Sequence, residues 1–532
     1  MNESYDYIVV GAGSAGAPVA ARLSQSGRYR VLLLEAGPRD SSPWLHIPVG
    51  YAKTYLDERV NWKYQTEPLP ELGGRTMYWP RGRVLGGTSA INGLIYMRGL
   101  ASDYDHWRQL GNAGWSWEDV LPFFRKAERN QRGADDLHGS EGPQGVSDAL
   151  WHTPLADAYI AACRQAGISA NDDFNGASQE GVGYYQHTVW RGRRVSTATA
   201  YLKPARGRAN LSVRTGVQVE RVLIEKGRAV GVAWRGGVAR AAGEIVLAGG
   251  AINSPQLLLL SGIGPGAQLQ SLGIEVVRDL PGVGENLQDH LQARSVYRAA
   301  RKGTLNDALA SRWGKVRSGA EWLLLRRGPL TNGAGLVGVF FRTRPELAEP
   351  DVQLHFIPFS TDRFGTGFHE HPGFNVVMNP SRPESRGRIR LKSPDPLAHP
   401  AIEPNYLSAP ADLRTMLDGL RWVRKIAEQP ALKPWIREEI QPGKAMESEA
   451  ALEEFLRQVA HTIFHPAGTC RMGPADDRGA VVDERLRVRG LAGLRVADAS
   501  IMPTLVSGNT SAPCTMIGEK CAAMMLEDAR SR

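Results

Sequence analysis

A short apolar run that breaks into spaced glycines constrains the fold of this 532-residue chain more than any other feature. Tyr7–Val10 is apolar and β-branched, which indicates a buried parallel strand, and Gly11, Gly13 and Gly16 follow it. The small residues at 15–21 then predict a helix that ends near residue 23. In such a unit Gly11 permits the tight turn, Gly13 admits a pyrophosphate, and Gly16 allows close helix–strand packing. The N-terminus of the helix then faces the phosphates.

A carboxylate stands where a dinucleotide-binding fold needs one. The apolar run Val31–Leu34 ends in Glu35, nineteen residues (35 − 16) after Gly16. An acidic side chain at this spacing accepts hydrogen bonds from the adenosine ribose hydroxyls, and it would repel a 2′-phosphate. Dinucleotide binding is therefore predicted and NADP is disfavoured, while a purely structural glycine turn is the alternative.

Length and composition indicate a globular protein of two joined domains. Hydrophobic residues make up 42% of the chain and charged residues 22%, which is typical of globular proteins. No stretch approaches the ~20 apolar residues of a membrane span, and no basic region followed by an apolar core marks a signal peptide. We expect a cytoplasmic protein, with peripheral association at the inner membrane left open.

The charge and the cysteines argue against several other classes. The net charge is +9, but the densest basic run, Arg191–Arg194, is short, so a solvated surface is expected rather than a nucleic-acid site. The cysteines lack CxxC spacing, which argues against a disulfide framework and against a metal site. They are Cys163, Cys470, Cys514 and Cys521.

Further along the chain, the patterns indicate a sheet that is interrupted and then resumed. Gly86–Ser89 can bring bare backbone amides against a flat ligand or can form an ordinary turn, and the residues alone favour neither. Residues 213–219, 222–224 and 230–234 are predicted as β-hairpin material, and 244–251 as a second strand–glycine–helix unit. From about 296 to 459, strands of alternating polarity such as 352–356 and a helix at about 411–428 predict an antiparallel sheet with helices.

These motifs together resemble the glucose–methanol–choline (GMC) flavoprotein oxidoreductases, and among them the bacterial choline-dehydrogenase-like alcohol dehydrogenases. The resemblance spans essentially the whole chain, through residues 11–16 with 35, 82–92, 250–264, 281–290, 465–473 and 508–510. It implies an α/β protein, α+β overall, in which a Rossmann-like FAD-binding domain is interleaved with a substrate domain built on an antiparallel sheet. The FAD-binding segments are expected at 1–150, 193–295 and 460–532, and the substrate segments at 151–192 and 296–459.

The resemblance also implies FAD as the redox cofactor and a set of residues around it. Some relatives link FAD covalently through a histidine at the position of Ile91, and because isoleucine cannot form that bond, noncovalent FAD is expected. The hairpin near Val219 is expected at the adenine, Asp498 near the ribityl chain, and the backbone near Gly86 and Asn92 against the isoalloxazine ring. The cofactor-binding residues implied are Gly11, Gly13, Ser14, Ala15, Gly16, Glu35, Ala36, Arg83, Gly86, Thr88, Asn92, Gly93, Leu94, Ile95, Val219, Asp498, Ala499, Asn509 and Thr510.

His465 and Asn509 are the implied catalytic pair. Alcohol oxidation removes a hydroxyl proton and a hydride, so a base must lie within reach of the oxygen. Histidine is largely neutral at working pH and can accept the proton, whereas the asparagine amide can only hold the oxygen. Taken without the resemblance, His465 before a proline is a structural residue more often than a base.

The other histidines have plainer interpretations. His461 and His465 are spaced like metal ligands on a helix, but the proline after His465 disfavours helix and no third ligand is evident. Asp289-His290 is expected to stabilise a turn near the flavin rather than take part in chemistry. We expect no metal site.

The resulting prediction is an FAD-dependent alcohol dehydrogenase that oxidises a primary alcohol, aliphatic, aromatic or choline-like, and passes electrons to a quinone-type acceptor. One alternative is an oxidase that uses oxygen and forms peroxide. Another, from a different class, is an FAD-containing hydroxynitrile lyase without redox chemistry. The partners expected are a small alcohol and an electron acceptor, quinone or oxygen, without nucleic acid.

Overall fold

The strand–turn–helix unit predicted at the amino end is present in the structure, a computed structural model that describes residues 3–362 and 365–531. The first strand covers Glu3–Val10, the first helix covers Gly16–Leu23, and the second strand, Val31–Glu35, pairs in parallel with the first. All three elements are therefore where the sequence predicts them.

The strands, in chain order, are β1 (Glu3–Val10), β2 (Val31–Glu35), β3 (Tyr64–Gln65), β4 (Tyr78–Trp79), β5 (Glu128–Asn130), β6 (Gln144–Val146), β7 (Gly181–Tyr184), β8 (Val189–Trp190), β9 (Arg193–Arg194), β10 (Leu211–Thr215), β11 (Val219–Glu225), β12 (Arg228–Trp234), β13 (Gly237–Leu247), β14 (Ile263–Gly264), β15 (Arg278–Asp279), β16 (Leu291–Ala299), β17 (Val337–Phe341), β18 (Val352–Ile357), β19 (Gly373–Pro380), β20 (Arg388–Arg390), β21 (Ala401–Glu403), β22 (Ile436–Gln441), β23 (His461–Thr462) and β24 (Leu494–Val496).

The α-helices are α1 (Gly16–Leu23), α2 (Tyr51–Thr54), α3 (Ala101–Gln109), α4 (Trp117–Ala127), α5 (Pro154–Gln165), α6 (Lys203–Ala205), α7 (Gly250–Leu260), α8 (Gly266–Ser271), α9 (Leu305–Ala310), α10 (Arg312–Leu325), α11 (Pro410–Ala427), α12 (Glu449–Val459) and α13 (Ser511–Arg530).

The first large sheet is a mostly parallel sheet with an antiparallel extension. Its order is β10–β2–β1–β13–β12–β11, and β24 also pairs with β13. β10, β2, β1, β13 and β24 pair in parallel, as strands joined by helical crossovers do, whereas β11, β12 and β13 pair antiparallel. Helices α1 and α13 pack against each other on this domain, and the apolar side chains between helices and sheet form the largest buried cluster.

One detail of the predicted hairpin region is wrong. β11 and β12 form the hairpin, but residues 211–215 form β10, which pairs in parallel with β2 at the far edge of the sheet. An isolated apolar run cannot reveal whether its partner is the next strand or a distant one, because the local pattern is the same for both.

The second large sheet is antiparallel and belongs to the substrate side. Its order is β22–β16–β19–β18–β17–β7, with β23 also paired to β16. The alternating polarity of 352–356 does not mark a solvent-exposed face, because β18 and β19 are buried along their whole length. Helices α5 and α11 pack with this sheet in the second buried cluster, and the polar side chains Gln353 and His355 of β18 are buried as well. The two sheets together confirm the predicted fold class.

The chain connects the two sheets where the site residues lie. β23 pairs with β16 in the substrate sheet, whereas β24, 32 residues (494 − 462) later, pairs with β13 in the first sheet. β16 begins at Leu291, five residues before the predicted boundary at 296. The segment between β23 and β24, which contains His465, therefore passes from one sheet to the other.

Candidate active site

A cavity of about 290 Å³ lies between the two sheets. It is lined at the first sheet by the ends of β1, β2 and β13, and at the second by residues of β16, β18 and β19. Most of the residues expected at the site line it. They are Gly11, Gly13, Ser14, Ala15, Glu35, Ala36, Thr88, Asn92, Gly93, Leu94, Ile95, Val219, His465, Asp498, Ala499, Asn509 and Thr510.

Three expected cofactor residues do not line the cavity. A side chain on Gly16 would have its Cβ 1.9 Å from the Gly11 carbonyl oxygen, so Gly16 serves the close helix–strand packing. Gly86 lies in a turn with φ +91° and donates its N–H to the Ala12 carbonyl. The Arg83 guanidinium lies over the Trp62 ring, 5.0 Å from its centroid.

Two glycine turns meet at the cavity. Gly11 has φ +102°, and a Cβ there would lie 2.4 Å from the Ala248 carbonyl oxygen. A Cβ on Gly87 would lie 2.7 Å from Cα of Gly13, so the second turn is pressed against the first. The two bare backbone segments form a narrow polar cradle of the kind a pyrophosphate and a flat ring require.

Glu35 is held with its carboxylate at the cavity wall. One oxygen accepts the N–H of Ala12 and the other the N–H of Gly37, each at 2.9 Å. Burial raises the pKa of Glu35 to about 7, against the two backbone donors, which lower it. Each oxygen keeps acceptor capacity toward the cavity, which suits two ribose hydroxyls.

Asp498 organises the second strand–glycine–helix unit. Its carboxylate accepts the N–H of Gly250 at 2.8 Å, the hydroxyl of Ser254 at 2.6 Å and the N–H of Ser500 at 2.8 Å. Burial raises its pKa, and these donors oppose the rise. The aspartate therefore ties the end of β24 to the start of α7.

Asn92 is fixed by Arg194, which the sequence places in a basic run expected to be solvated but which the structure buries beside the cavity. The Arg194 Nη1 donates to the carbonyl and to the side-chain oxygen of Asn92, both at 2.8 Å. Leu94, with φ +74°, donates its N–H to the same side chain. The segment expected beside the isoalloxazine ring is thus rigidly set.

His465 and Asn509 meet at the cavity. Nδ2 of Asn509 lies 3.0 Å from Nε2 of His465, and the Asn509 side-chain oxygen accepts from Gln353 at 3.4 Å. The amide nitrogen is therefore the end of Asn509 that faces the histidine. An amide nitrogen only donates, so Nε2 of His465 must be the unprotonated, accepting nitrogen.

His290 contacts the His465 imidazole on the side opposite Asn509. Its Nε2 lies 3.0 Å from the Ser381 carbonyl oxygen, which only accepts, so Nε2 carries the proton. Its Nδ1 is then an acceptor and lies 3.0 Å from Nδ1 of His465. Burial lowers the pKa of His290 to about 4, which keeps the ring neutral. The proton on His465 is thereby assigned to Nδ1.

Asp289 holds the backbone of His465. Its carboxylate accepts the N–H of His465 at 2.6 Å, the Thr462 hydroxyl at 2.5 Å and the Tyr406 hydroxyl. Phe464, immediately before His465, has φ +74°, a strained conformation for an aromatic residue. The contacts of Asp289 stabilise this strained turn. Asp289 therefore has a structural role, as predicted, and it fulfils that role through a hydrogen bond to the backbone of His465 itself.

The electrostatics favour a neutral His465. Burial is the largest effect, and it lowers the pKa of His465 well below its ordinary value. The rings of His290 and His355 and the Arg81 guanidinium lower it further. The imidazole is therefore available as a base.

His461 lies apart from this arrangement. It belongs to β23, and its Nδ1 lies 3.0 Å from the Thr462 carbonyl oxygen. Within residues 3–362 and 365–531, no group of three or more histidine, cysteine or acidic side chains is arranged to hold a metal.

The remaining wall of the cavity is largely apolar and aromatic. Acidic residues line it at two positions, Glu35 and Asp498, and the described lining near His465 contains none. A half-buried cation, Arg81, also lines it and donates to the Phe464 carbonyl at 2.6 Å. Lining residues besides His465 and Asn509 include Tyr51, Tyr55, Ile91, Gln292, Ala334, His355, Ile357, Val377, Ile463 and Phe464.

Comparison with known proteins finds matches over nearly the whole chain. The N-terminal GMC oxidoreductase family model matches residues 5–292, and the C-terminal GMC oxidoreductase model matches residues 383–518. The chain is 42% identical over 529 residues to the alcohol dehydrogenase [acceptor] of Pseudomonas putida, covering 98% of this chain and 96% of the relative. It is 43% identical over 531 residues to mitochondrial choline dehydrogenase of Mus musculus, covering 98% and 89%.

A solved structure shares the fold over the full length. A formate oxidase variant of Aspergillus oryzae RIB40, whose structure concerns FAD modification, superposes with a TM-score of 0.93. The identity is 25%, covering 100% of this chain and 99% of the other. The two glycine turns and the Glu35 carboxylate at the cavity fit FAD. The chain therefore belongs to the GMC oxidoreductase family, as an FAD-dependent enzyme that acts on alcohols.

Proposed function

We propose that the protein oxidises an uncharged primary alcohol to the aldehyde, with His465 as the base that takes the hydroxyl proton. The observation that carries the proposal is the 3.0 Å contact between Nδ2 of Asn509 and Nε2 of His465 at the cavity. A neutral acceptor nitrogen and an amide donor side by side can hold one hydroxyl oxygen between them.

The residues that would hold FAD follow from the cavity wall. Glu35 would accept from the adenosine ribose, and the backbone of 11–15 would face the pyrophosphate with the N-terminus of α1. Val219, expected at the adenine, and Asn92, expected at the isoalloxazine, both line the cavity. Ile91 lines the cavity and has no atom that could form a bond to the flavin, so the attachment is noncovalent. When bound, FAD supplies the hydride acceptor.

The protein's own part in the reaction is to move one proton and to hold one oxygen. The alcohol hydroxyl takes the position at Nε2 of His465, and its O–H proton passes to that nitrogen as the carbinol carbon loses a hydride. The Asn509 amide donates to the same oxygen and orients it. The alcohol loses two electrons and two hydrogens, one hydrogen as a hydride from carbon and the other as a proton from oxygen, and so becomes an aldehyde. His465 becomes an imidazolium whose Nδ1–H stays hydrogen-bonded to Nδ1 of His290.

The lining near His465 favours an uncharged substrate over a quaternary ammonium alcohol. The described wall there contains a cation, Arg81, and no carboxylate. The aromatic faces of Tyr51 and Tyr55 could attract a cation. However, the nearby Asp289 carboxylate lies behind the wall and already interacts with Arg81, Thr462 and Tyr406, so it is not available to a substrate cation, and burying such a cation is costly. Aliphatic and aromatic alcohols avoid that cost.

The experiment is anaerobic mixing of the purified holoenzyme with a panel of primary alcohols, choline included, while the flavin absorbance is followed. We expect uncharged alcohols to bleach the flavin and choline to bleach it much more slowly. A panel in which no alcohol bleaches the flavin contradicts the proposal and favours the hydroxynitrile lyase. Faster bleaching by choline than by uncharged alcohols contradicts only the preference for an uncharged substrate and leaves the role of His465 intact.

The electron acceptor is assigned by a second arm of the same experiment. We propose a quinone-type acceptor, and the P. putida relative is an alcohol dehydrogenase [acceptor], a name that does not specify the acceptor. Reoxidation of the bleached enzyme by a quinone analogue should then be fast and reoxidation by oxygen slow. Rapid oxygen uptake with stoichiometric peroxide would instead identify an oxidase, the class of the formate oxidase neighbour.

A further inference from the structure

One helix presents a row of large apolar side chains to solvent. Along α10, Trp313 is 82% exposed, Leu324 is 77% exposed, and Val316 and Leu323 are each about 60% exposed. With the exposed Ala320 these side chains are spaced by three or four residues, so they lie on one face of the helix. We call this row, Trp313, Val316, Ala320, Leu323 and Leu324, the α10 stripe.

The opposite face of α10 is anchored to the protein. Ser318 and Trp322, four residues apart, are the buried side chains of the helix. The Trp322 indole N–H donates to the Gly192 carbonyl at 2.7 Å, and the Arg326 guanidinium lies 4.3 Å from the centroid of the Trp322 ring. The helix is therefore held in an orientation that turns the α10 stripe outward, although burying it would be favourable.

Basic residues flank the α10 stripe. Over residues 312–327, five side chains are cationic and one, Glu321, is acidic, which leaves a local charge of +4 (5 − 1). Glu321 is itself paired with Arg327, whose Nε lies 3.4 Å from the glutamate oxygen. An exposed apolar face between arginines and lysines is the composition of a helix that lies in a membrane interface. The five cations are Arg312, Lys315, Arg317, Arg326 and Arg327.

The α9–α10 hairpin is rooted beside the active-site cavity. Leu305 and Leu309 of α9, and Leu330 just after α10, belong to an apolar cluster with Tyr51 and Ile357. Tyr51 and Ile357 line the cavity. A surface bound through the α10 stripe would therefore lie close to the apolar cluster that supports the cavity wall.

We propose that the α10 stripe docks the enzyme on an anionic phospholipid bilayer, with α10 lying in the interface. The apolar side chains would enter the headgroup region while the flanking cations contact anionic headgroups. At 14 residues α10 is about 21 Å long, shorter than the ~30 Å hydrocarbon core, so it can lie on a bilayer but cannot cross it. Among the described helices none combines the length and apolarity of a membrane span.

A second copy of the chain fits the α10 stripe less well than a bilayer does. In a two-fold dimer through this face, each +4 segment would meet its own copy, and like charges would be brought together. Anionic lipid instead neutralises them. The proposal does not depend on the reaction assigned above, although a bilayer-docked enzyme would meet lipid-soluble quinones directly.

The test is sedimentation of the FAD-loaded enzyme with vesicles of phosphatidylcholine alone and of phosphatidylcholine with phosphatidylglycerol. We expect binding to the anionic vesicles, weakened by added salt, and much weaker binding to phosphatidylcholine alone. Leu324→Glu should lower the partition coefficient about tenfold or more. Lys315→Glu with Arg317→Glu should lower it about twentyfold or more, at about fivefold for each basic side chain lost.

Matched controls carry the same charge change elsewhere. Val277→Glu alters a 43% exposed apolar side chain outside α10, and Lys433→Glu with Lys444→Glu reverses two exposed cations outside α10. The partition coefficients of both controls should lie within about twofold of the wild-type value, because the altered side chains are outside the proposed contact with the bilayer. Activity with a water-soluble dye acceptor should be unchanged in all variants, which shows that they are folded.

Two results would overturn the proposal. The first is equal binding to both vesicle types, or equal binding by Leu324→Glu and Val277→Glu. The second is a combination of two observations. The wild type does not bind vesicles, and analytical ultracentrifugation shows that it is a dimer that Leu324→Glu converts to a monomer. The α10 stripe would then be a subunit interface.

Discussion

His290 and His465 face each other through their Nδ1 atoms at 3.0 Å, and this contact determines which nitrogen of His465 can act as the base. Since His290 donates through Nε2 to the Ser381 carbonyl, its Nδ1 must accept the His465 proton. Nε2 of His465 is left as the unprotonated nitrogen, and its lone pair accepts the Asn509 amide. A neutral histidine thus does here what a carboxylate does in other acid–base pairs: it holds the imidazole in one tautomer.

Replacing His290 should slow the reaction without removing the base. His290→Phe deletes the acceptor for the Nδ1–H of His465, a bond that becomes charge-assisted when His465 is protonated. Because such a bond contributes roughly 1.5–3 kcal/mol, flavin reduction should slow about tenfold to hundredfold. His290→Asn, whose side-chain oxygen can accept, should recover part of the rate. Stopped-flow reduction of both variants across pH is the measurement.

His290 acts through His465 only if the pH profile responds as well as the rate. We expect the acid limb of kcat/KM to move in His290→Phe, because the imidazolium loses its partner. A variant with an unchanged profile and a uniformly reduced rate would show that His290 is only a packing residue.

The acid limb of the wild-type enzyme should lie below pH 6.5. Burial and neighbouring groups lower the pKa of His465, so its neutral, active form persists as the pH falls through the ordinary histidine range. Activity declines only when the pH falls through the lowered pKa. The measurement is kcat/KM for one good alcohol against pH, which reports the free enzyme. A limb at or above pH 6.5 would contradict the assignment.

Glu35→Gln should weaken FAD binding and spare the alcohol pocket. Loss of the charged acceptor at the ribose removes roughly 1.5–3 kcal/mol, which is about a tenfold to hundredfold rise in the Kd for FAD. Titration of the apoenzyme with FAD measures it, with Glu58→Gln, an 83% exposed glutamate, as the control. An unchanged Kd for Glu35→Gln would refute the ribose assignment.

Acid precipitation should release all of the FAD into the supernatant. Ile91 occupies the position where some relatives carry the linking histidine, and its hydrocarbon side chain cannot bond to the flavin. The supernatant should contain unmodified FAD by mass spectrometry. Flavin that stays with the protein pellet would demonstrate a covalent bond to a different residue.

The residues that the sequence predicts best are those whose roles are set locally. Gly11, Gly13 and Glu35 are fixed by one strand–turn–helix unit and its neighbouring strand, and all three line the cavity. The spacing within such a unit is short, so the chain itself determines which side chains meet. His465 and Asn509 were identified through the family resemblance, because no local pattern connects positions 44 residues (509 − 465) apart.

The part of the site that the sequence did not reveal depends on strand register. Leu291 of β16 pairs with Thr462 of β23, and this pairing brings His290 and Asp289 beside His465. Nothing in either segment specifies a partner more than 170 residues away (465 − 290 = 175). The same limit explains why β10 was predicted in a hairpin and why the burial of both faces of β18 was missed, because both depend on distant elements.

The most direct test of the account compares His465→Ala with Asn509→Ala in anaerobic stopped-flow reduction of the flavin by one good alcohol. His465→Ala should retain FAD and slow reduction by about 10²–10⁴-fold, with part of the loss recovered toward high pH as the alcohol ionises unaided. Asn509→Ala should lose orientation and one hydrogen bond, so its defect should be smaller and less dependent on pH. If Asn509→Ala is the slower and more pH-sensitive variant, or if both variants reduce at the wild-type rate, His465 is not the base.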